Sequence, residues 1–121
     1  MILQQAMILQ QAMMQLLKTE NGVKTKVSKL VMLWKEVGLC FHKSAYVTNG
    51  SGYIISHFNS GLIILKYITT KEQAIQYLIK LCDVLADWTF TLEEWDIVGS
   101  EQKKLIGDHV RVLQDEINKG E

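Results

Sequence analysis

Residues 44–68 alternate short runs of β-branched and aromatic residues with clusters of Asn, Ser and Gly, reading SAYVT, NGSG, YIISHF, NSG and LIILKYI in succession. Val, Ile, Tyr and Phe suit a pleated surface, while Asn and Gly supply the positive φ values that tight reversals need. The pattern predicts a three-stranded antiparallel meander. In its last run, Leu62, Ile64, Lys66 and Ile68 fall on one side and Ile63, Leu65 and Tyr67 on the other. Both sets are mostly apolar, so this strand is expected to be central and covered on both faces. Thr69 precedes Glu72 by three residues and Thr70 precedes Gln73 by three, and either pair can open a helix. There Gln73, Gln76, Lys80, Asp83 and Asp87 recur at steps of three and four, which leaves one narrow stripe for water.

The flanks read as helices. Residues 1–17 begin with the hexapeptide MILQQA written twice and continue as MMQLL, and Met, Leu, Gln and Ala are all good helix formers. The expected product is a helix with a broad Met, Ile and Leu face, broken by Asn21 and Gly22. Val23, Val27, Leu30, Val31, Trp34 and Val37 then fall at spacings that match one face of a second helix, with Gly38 as its left-handed terminator. Leu39, Cys40 and Phe41 lead into the first strand or extend it, and Trp88 is placed over the end of the sheet. Thr91 with Glu94 caps a short helix that Gly99 ends, and Ser100 caps a last one with Ile106, Val110, Leu113 and Ile117 as its buried stripe. The expected architecture is α+β: a three-stranded antiparallel β-meander packed against about four to five helices, with an N-terminal apolar helix. It divides into residues 1–20 as that helix and 21–121 as a single domain.

Composition adds bounds. A chain of 121 residues with 48% hydrophobic and 21% charged residues is sized and composed for one folded core. The two cysteines, Cys40 and Cys82, have no C-x-x-C spacing and lie among apolar residues, which reads as reduced thiols in a cytoplasm. No run of eighteen apolar residues occurs, and glutamines interrupt the apolar start, which makes it a poor signal peptide. The net charge of zero is unevenly spread: residues 1–66 carry seven lysines and two glutamates, for +5, and the remainder sums to −5. Lys24, Lys26, Lys29 and Lys43 are the candidate anion-binding residues, the first three crowding the start of an expected helix where its dipole disfavours them.

Catalytic chemistry has little to stand on. Cys40 and His42 have no partner pair at zinc-site spacing. Ser56 and His57 are adjacent in a strand and point to opposite faces, whereas Ser60 can meet His57 across the NSG turn; no G-x-S-x-G elbow surrounds it. Glu93, Glu94 and Asp96, and the pair Asp83 and Asp87, sit where helix starts and solvent faces already call for acids. Trp34, Phe41, Tyr46, Tyr53 and Tyr67 accompany the lysines of the basic half, but Arg111 is the chain's single arginine, which leaves few bidentate donors for reading a nucleic acid. No catalytic, cofactor-binding or metal-binding residue is assigned, and no cofactor is expected.

The leading expectation is a small cytoplasmic interaction or accessory protein that acts by protein–protein binding as a homodimer, using Met1, Ile2, Ile8, Leu9, Met13, Leu16 and Leu17, with no membrane association. A lysine-mediated nucleic-acid-binding protein comes second. A small enzyme with its site near His57 comes third.

Overall fold

Asn21 and Gly22 take φ of 51° and 80°, the left-handed pair of a two-residue hairpin turn, and everything N-terminal to Leu39 follows from them. In the computed structural model, which describes residues 8–43 and 52–120, they join strand β1 (Gln10–Glu20) to β2 (Val23–Trp34), paired without interruption from Glu20↔Val23 to Gln10↔Leu33. The meander continues through β3 (Leu39–Lys43), β4 (Tyr53–His57) and β5 (Ile63–Ile68), each antiparallel to the last. The result is a five-stranded sheet in the order β1-β2-β3-β4-β5, followed by α1 (Lys71–Val84), α2 (Leu92–Asp96) and α3 (Ser100–Asn118).

Both helices expected before Leu39 are therefore strands over their described residues, residues 1–7 lying outside these. Among the described residues five strands and three helices replace the three-stranded meander and four to five helices. The offsets of Val23 to Val37 matched a helix because β2 is apolar on both faces where it enters the sheet, which hides a period of two. Its β-branched residues and the Asn-Gly turn favour the hairpin. In β1 the helix propensity of Met, Leu, Gln and Ala is outweighed by pairing along eleven residues. Of the three strands expected between residues 44 and 68, the second and third correspond to β4 and β5. The first, SAYVT, lies outside the described residues, as do the first three residues of the NGSG turn.

Cross-strand partners share a face, so the sheet sorts its residues into two rows. The row Met32, Phe41, Ile55 and Leu65 faces Ala74, Tyr77, Leu78 and Leu81 of α1 and Ile106 and Ile117 of α3, in the main core. Leu33 and Cys40 on the opposite face join Met14 and Val31 in a second, smaller cluster, against which Ala12 and Phe58 pack and to which no described helix residue belongs. The strands buried on both faces are thus β3, where Leu39, Cys40, Phe41 and His42 are all buried, and β4, where Ile54, Ile55, Ser56 and His57 are, and not β5.

β5 is an edge strand, with Ile63 and Tyr67 half or more exposed. Its alternation breaks at Tyr67, whose φ of 66° lets Leu65 and Ile68, three apart, both enter the core. The Gln114 side chain of α3 serves the backbone beside this irregularity: Lys66 N–H donates to Oε1 at 3.0 Å, and Nε2 donates to the Lys66 carbonyl at 2.9 Å. An amide thus stands where another strand would pair. α1 begins on Thr70, whose side chain accepts from Gln73 N–H, and it exposes more than the narrow stripe expected, Ile79 among it.

Between β2 and β3 the turn at residues 35–38 meets the chain leaving α1. Gly38 has φ of 89°, and a Cβ built there would sit 2.6 Å from the Trp88 carbonyl oxygen and 2.9 Å from Thr89 N. Trp88 N–H donates to Val37 O at 2.7 Å and its indole N–H to Leu81 O at 3.2 Å. Gly22 also has a positive φ, of 80°, but no atom lies within 4 Å of its Cβ position. Gly22→Ala should therefore cost only the left-handed penalty of about 1–2 kcal/mol. Gly38→Ala adds a backbone clash and should cost on the order of 3 kcal/mol or more. Urea unfolding of both variants checks this, and a Gly38→Ala loss no larger than that of Gly22→Ala would contradict the contact.

Candidate functional site

β4 ends at His57, and the following turn is closed by Gly61 N–H donating to His57 O at 2.8 Å and His57 N–H donating to Leu62 O at 2.9 Å. Inside it, Ser60 Oγ accepts from Leu62 N–H at 3.1 Å and lies 2.7 Å from His57 Nδ1. The contact between Ser60 and His57 expected from their spacing is present. Its chemistry is that of a turn lock, because the hydroxyl is already held by a backbone donor and no carboxylate orients the imidazole among the described residues.

On the other side of the ring the chain returns from α1. Asp87 Oδ1 accepts from Thr89 N–H at 2.8 Å and from the Thr89 hydroxyl at 2.5 Å, which holds its carboxyl below the usual range and fixes the bend. Asn59 Nδ2 donates to Thr89 O at 2.6 Å and ties the bend to the His57 turn. Phe90 is thereby laid on the imidazole, with centroids 4.4 Å apart and 21° between planes, and Trp95 stacks on Phe90 at 5.1 Å. Trp95 is presented by α2, whose first turn is secured by reciprocal bonds: Glu94 N–H to Thr91 Oγ1 at 3.2 Å and Thr91 N–H to Glu94 Oε1 at 2.9 Å. Lys103 of α3 holds its ammonium 5.7 Å from the centre of the Trp95 ring. His57, Phe90, Trp95 and Lys103 line, together with Leu62, Ile63 and Ile64, a groove of about 250 Å³.

His57 is 4% exposed, and its Nε2 has no hydrogen-bond partner, the one such buried side-chain atom among the described residues. Burial pushes its pKa below the ordinary histidine value, and backbone carbonyls of Trp88 and Phe90 offset this in part. His42 lies on the opposite face, with Nδ1 3.1 Å from Lys43 O and Nε2 3.1 Å from Ser56 Oγ. Its pKa too is lowered, first by burial and further by the charge of Lys29. The Cys40 thiol, 3.5 Å from Met14 Sδ and from Ser56 O, is pushed up to about 12 by burial and is no nucleophile. No group of three His, Cys, Asp or Glu side chains suited to a metal occurs among the described residues.

The remaining residues singled out in the sequence are dispersed. Lys24 and Lys26 are exposed on one face of β2, Lys29 points from the other toward His42, and exposed Lys43 ends β3, so strand alternation divides a cluster that a helix would have gathered. Phe41 is in the core with Tyr53 edge-on to it at 6.0 Å, Trp34 is half-buried, and Tyr46 lies outside the described residues. Of the interface candidates, Ile8 and Met13 are exposed, and Leu9 is half-buried against the main core. Leu16 and Leu17 lie in β1, and Met1 and Ile2 fall outside the described residues. Sequence reasoning missed Phe90, Trp95 and Gly107 at the groove. A signal for them existed in three aromatic residues within eight positions, followed by a glycine inside a helical stripe.

No described helix is long and apolar enough to cross a membrane. Comparison of the chain with protein-family models, curated proteins and solved structures finds no match.

His42 and His57 both favour the neutral form when folded, so their contribution to stability is complete above the unfolded value of 6.5 and is lost as pH falls through their lower folded values. The melting temperature should hold from pH 8 to about 6.5 and decline toward pH 5, a window set by the histidine range. Calorimetry across that range checks it, and a midpoint unchanged down to pH 5 would contradict the shifts.

Proposed function

We propose that the protein is a small cytoplasmic interaction module that pairs with a second copy of itself along β1. The observation that carries this reading is the contrast between the two edges of the sheet. At β5 the irregularity at Tyr67 and the Gln114 amide occupy backbone groups that another strand would use. At β1 an eleven-residue edge has no partner strand beyond β2 among the described residues. Such an edge is a template for strand addition, and antiparallel pairing of β1 with β1 about a two-fold axis is self-complementary.

Side chains along the ribbon support the same reading. Met13 and Leu30 are direct cross-strand partners and each is 55% exposed, an apolar pair beside the open edge; Ile8 is 65% exposed just before β1. Toward the hairpin tip Lys24 and Lys26 keep the ribbon polar, so the apolar part lies close to the body of the sheet. Free cysteines at 40 and 82 suit a reducing compartment. The nucleic-acid reading is weaker, because the lysines divide between two faces and Arg111 is paired with Asp108.

Sedimentation at micromolar concentration is expected to give a dimer. Met13→Lys combined with Leu30→Lys, both at exposed positions, should weaken association at least tenfold by placing like charges at the seam while leaving the melting temperature within a few degrees. A chain that remains monomeric up to 100 μM, on the order of the weakest affinity worth the name of a dimer, would overturn the proposal.

A further inference from the structure

The groove beside His57 contains a glycine that nothing inside the molecule requires. Gly107 lies in the middle of the nineteen-residue α3, where glycine costs roughly 0.5–1 kcal/mol relative to alanine. Its φ is not in the left-handed region, and no atom lies within 4 Å of a Cβ built on it, so neither backbone conformation nor close packing excludes a side chain. Lys103, Ile106, Gly107 and Val110 all line the groove, at the spacing 0, 3, 4, 7 that defines one helix face. Gly107 stands at the edge of that face, beside Lys103 and one residue after the buried Ile106. A side chain there would occupy the groove, and its absence leaves the groove open.

Two other features say what would fill the space. The walls are apolar and partly aromatic: Trp88, Phe90 and Trp95 on one side, Ile106 and Val110 on the helix, and Leu62 and Ile63 at the mouth, where both are half or more exposed without a cover. One full charge lines the groove, the Lys103 ammonium, which rests on the Trp95 face and lies 3.5 Å from the Asp96 carbonyl, with no carboxylate holding it among the described residues. The volume of about 250 Å³ exceeds the roughly 150 Å³ that accommodates benzene and is below that of a drug-sized pocket.

We infer that this groove is a binding site for a small aromatic carboxylate of one or two fused rings, its ring lying over Gly107 against the Phe90 and Trp95 wall and its carboxylate meeting Lys103. The ring covers the apolar area that Leu62 and Ile63 leave exposed, and a flat shape suits a slot whose helix wall is bare at Gly107. A single carboxylate matches the single cation. The site stands apart from the β1 edge, so it holds whether or not the chain dimerises.

1-Naphthoate serves as the probe, with 1-naphthalenemethanol as its uncharged counterpart, titrated into the full chain while the indole N–H signals of Trp88 and Trp95 and the amide of Gly107 are followed by NMR. Naphthoate should shift these signals with a dissociation constant on the order of 0.1 mM, the range that a dozen heavy atoms can reach. Gly107→Leu should weaken binding at least tenfold while keeping or raising the melting temperature, because it fills the groove and removes a helix-interior glycine. Lys103→Gln should weaken naphthoate about fivefold and leave the alcohol unaffected, the effect expected of one partly exposed charge. Absence of shifts at 2 mM of either probe, or equal binding by Gly107→Leu, would overturn the site. Equal affinity for acid and alcohol would overturn the assignment of a carboxylate.

Discussion

The contact between Gly38 and Trp88 is the constraint on which the remaining architecture turns. A meander has no long-range connection of its own, since each strand meets only its neighbours in sequence. The helices that follow β5 must therefore be brought back across the sheet by some specific attachment, and the turn at residues 35–38 supplies it. Trp88 N–H bonds to Val37 O, Phe58 N–H bonds to Gly38 O, and the two backbones approach more closely than any side chain at position 38 would allow. Three segments far apart in sequence are joined within a few ångströms: the β2–β3 turn, the end of β4 and the exit from α1. Direction is added by the indole, whose N–H returns to Leu81 O and so sets where α1 stops relative to the sheet.

From that attachment the groove follows by geometry. Once Trp88 is fixed, the Asp87–Thr89 bonds turn the chain, Asn59 holds Thr89, and Phe90 has no course except over the imidazole of His57. The capping box of α2 then presents Trp95 to Phe90, and α3 runs back along β5, where Gln114 grips Lys66. The same amide that positions α3 also occupies the β5 edge. One side chain thus links the occupied edge of the sheet at β5 with the helix that forms a wall of the groove. The ion pair between Lys80 and Glu116 adds little to this, being exposed on both sides.

What could be read in the sequence was whatever depends on neighbours a few residues apart. The Thr70, Thr91 and Glu94 caps, the strands now identified as β4 and β5, the presence of α1 to α3 and the closeness of Ser60 to His57 are all local, and local rules found them. The ends were less well placed: α1 stops at Val84, short of Asp87, and α3 has Gly99 at its N-cap and no side-chain bond from the Ser100 expected to cap it. The first third of the chain was misread because its two signals conflicted. Met, Leu, Gln and Ala in β1 prefer a helix, and β2 places apolar residues on both faces, so its spacing imitates one. Asn21-Gly22 was the deciding feature, since the pair is a hairpin turn when flanked by two segments of equal length, and a helix breaker only if the flanks are already taken as helices. Tyr67 misled in a different way. A positive φ at a bulky residue cannot be foreseen from its identity, and it moved β5 from an expected double-sided burial to an edge whose alternation is broken.

The candidate site was half legible for the same reason. His57 and Ser60 were within reach of turn chemistry, whereas the residues that give the groove its character come from sequence positions 30 to 50 residues further on. Phe90 and Trp95 read as ordinary core aromatics until the Gly38 contact places them, and Gly107 reads as a weak point in an amphipathic helix until the face it occupies is known. A glycine of that kind becomes informative only by elimination. Its φ does not demand glycine, no neighbour crowds it, and the helix would be firmer with alanine in its place, so the remaining pressure on the position is the space beside it. Strand alternation applied the opposite test to the lysines: a cluster that looked like a surface became two unrelated sets once β2 was a strand, one set facing solvent and Lys29 facing His42. Topology removed one candidate for an anion and supplied another at Lys103, where a cation, an aromatic wall and an unfilled helix face coincide.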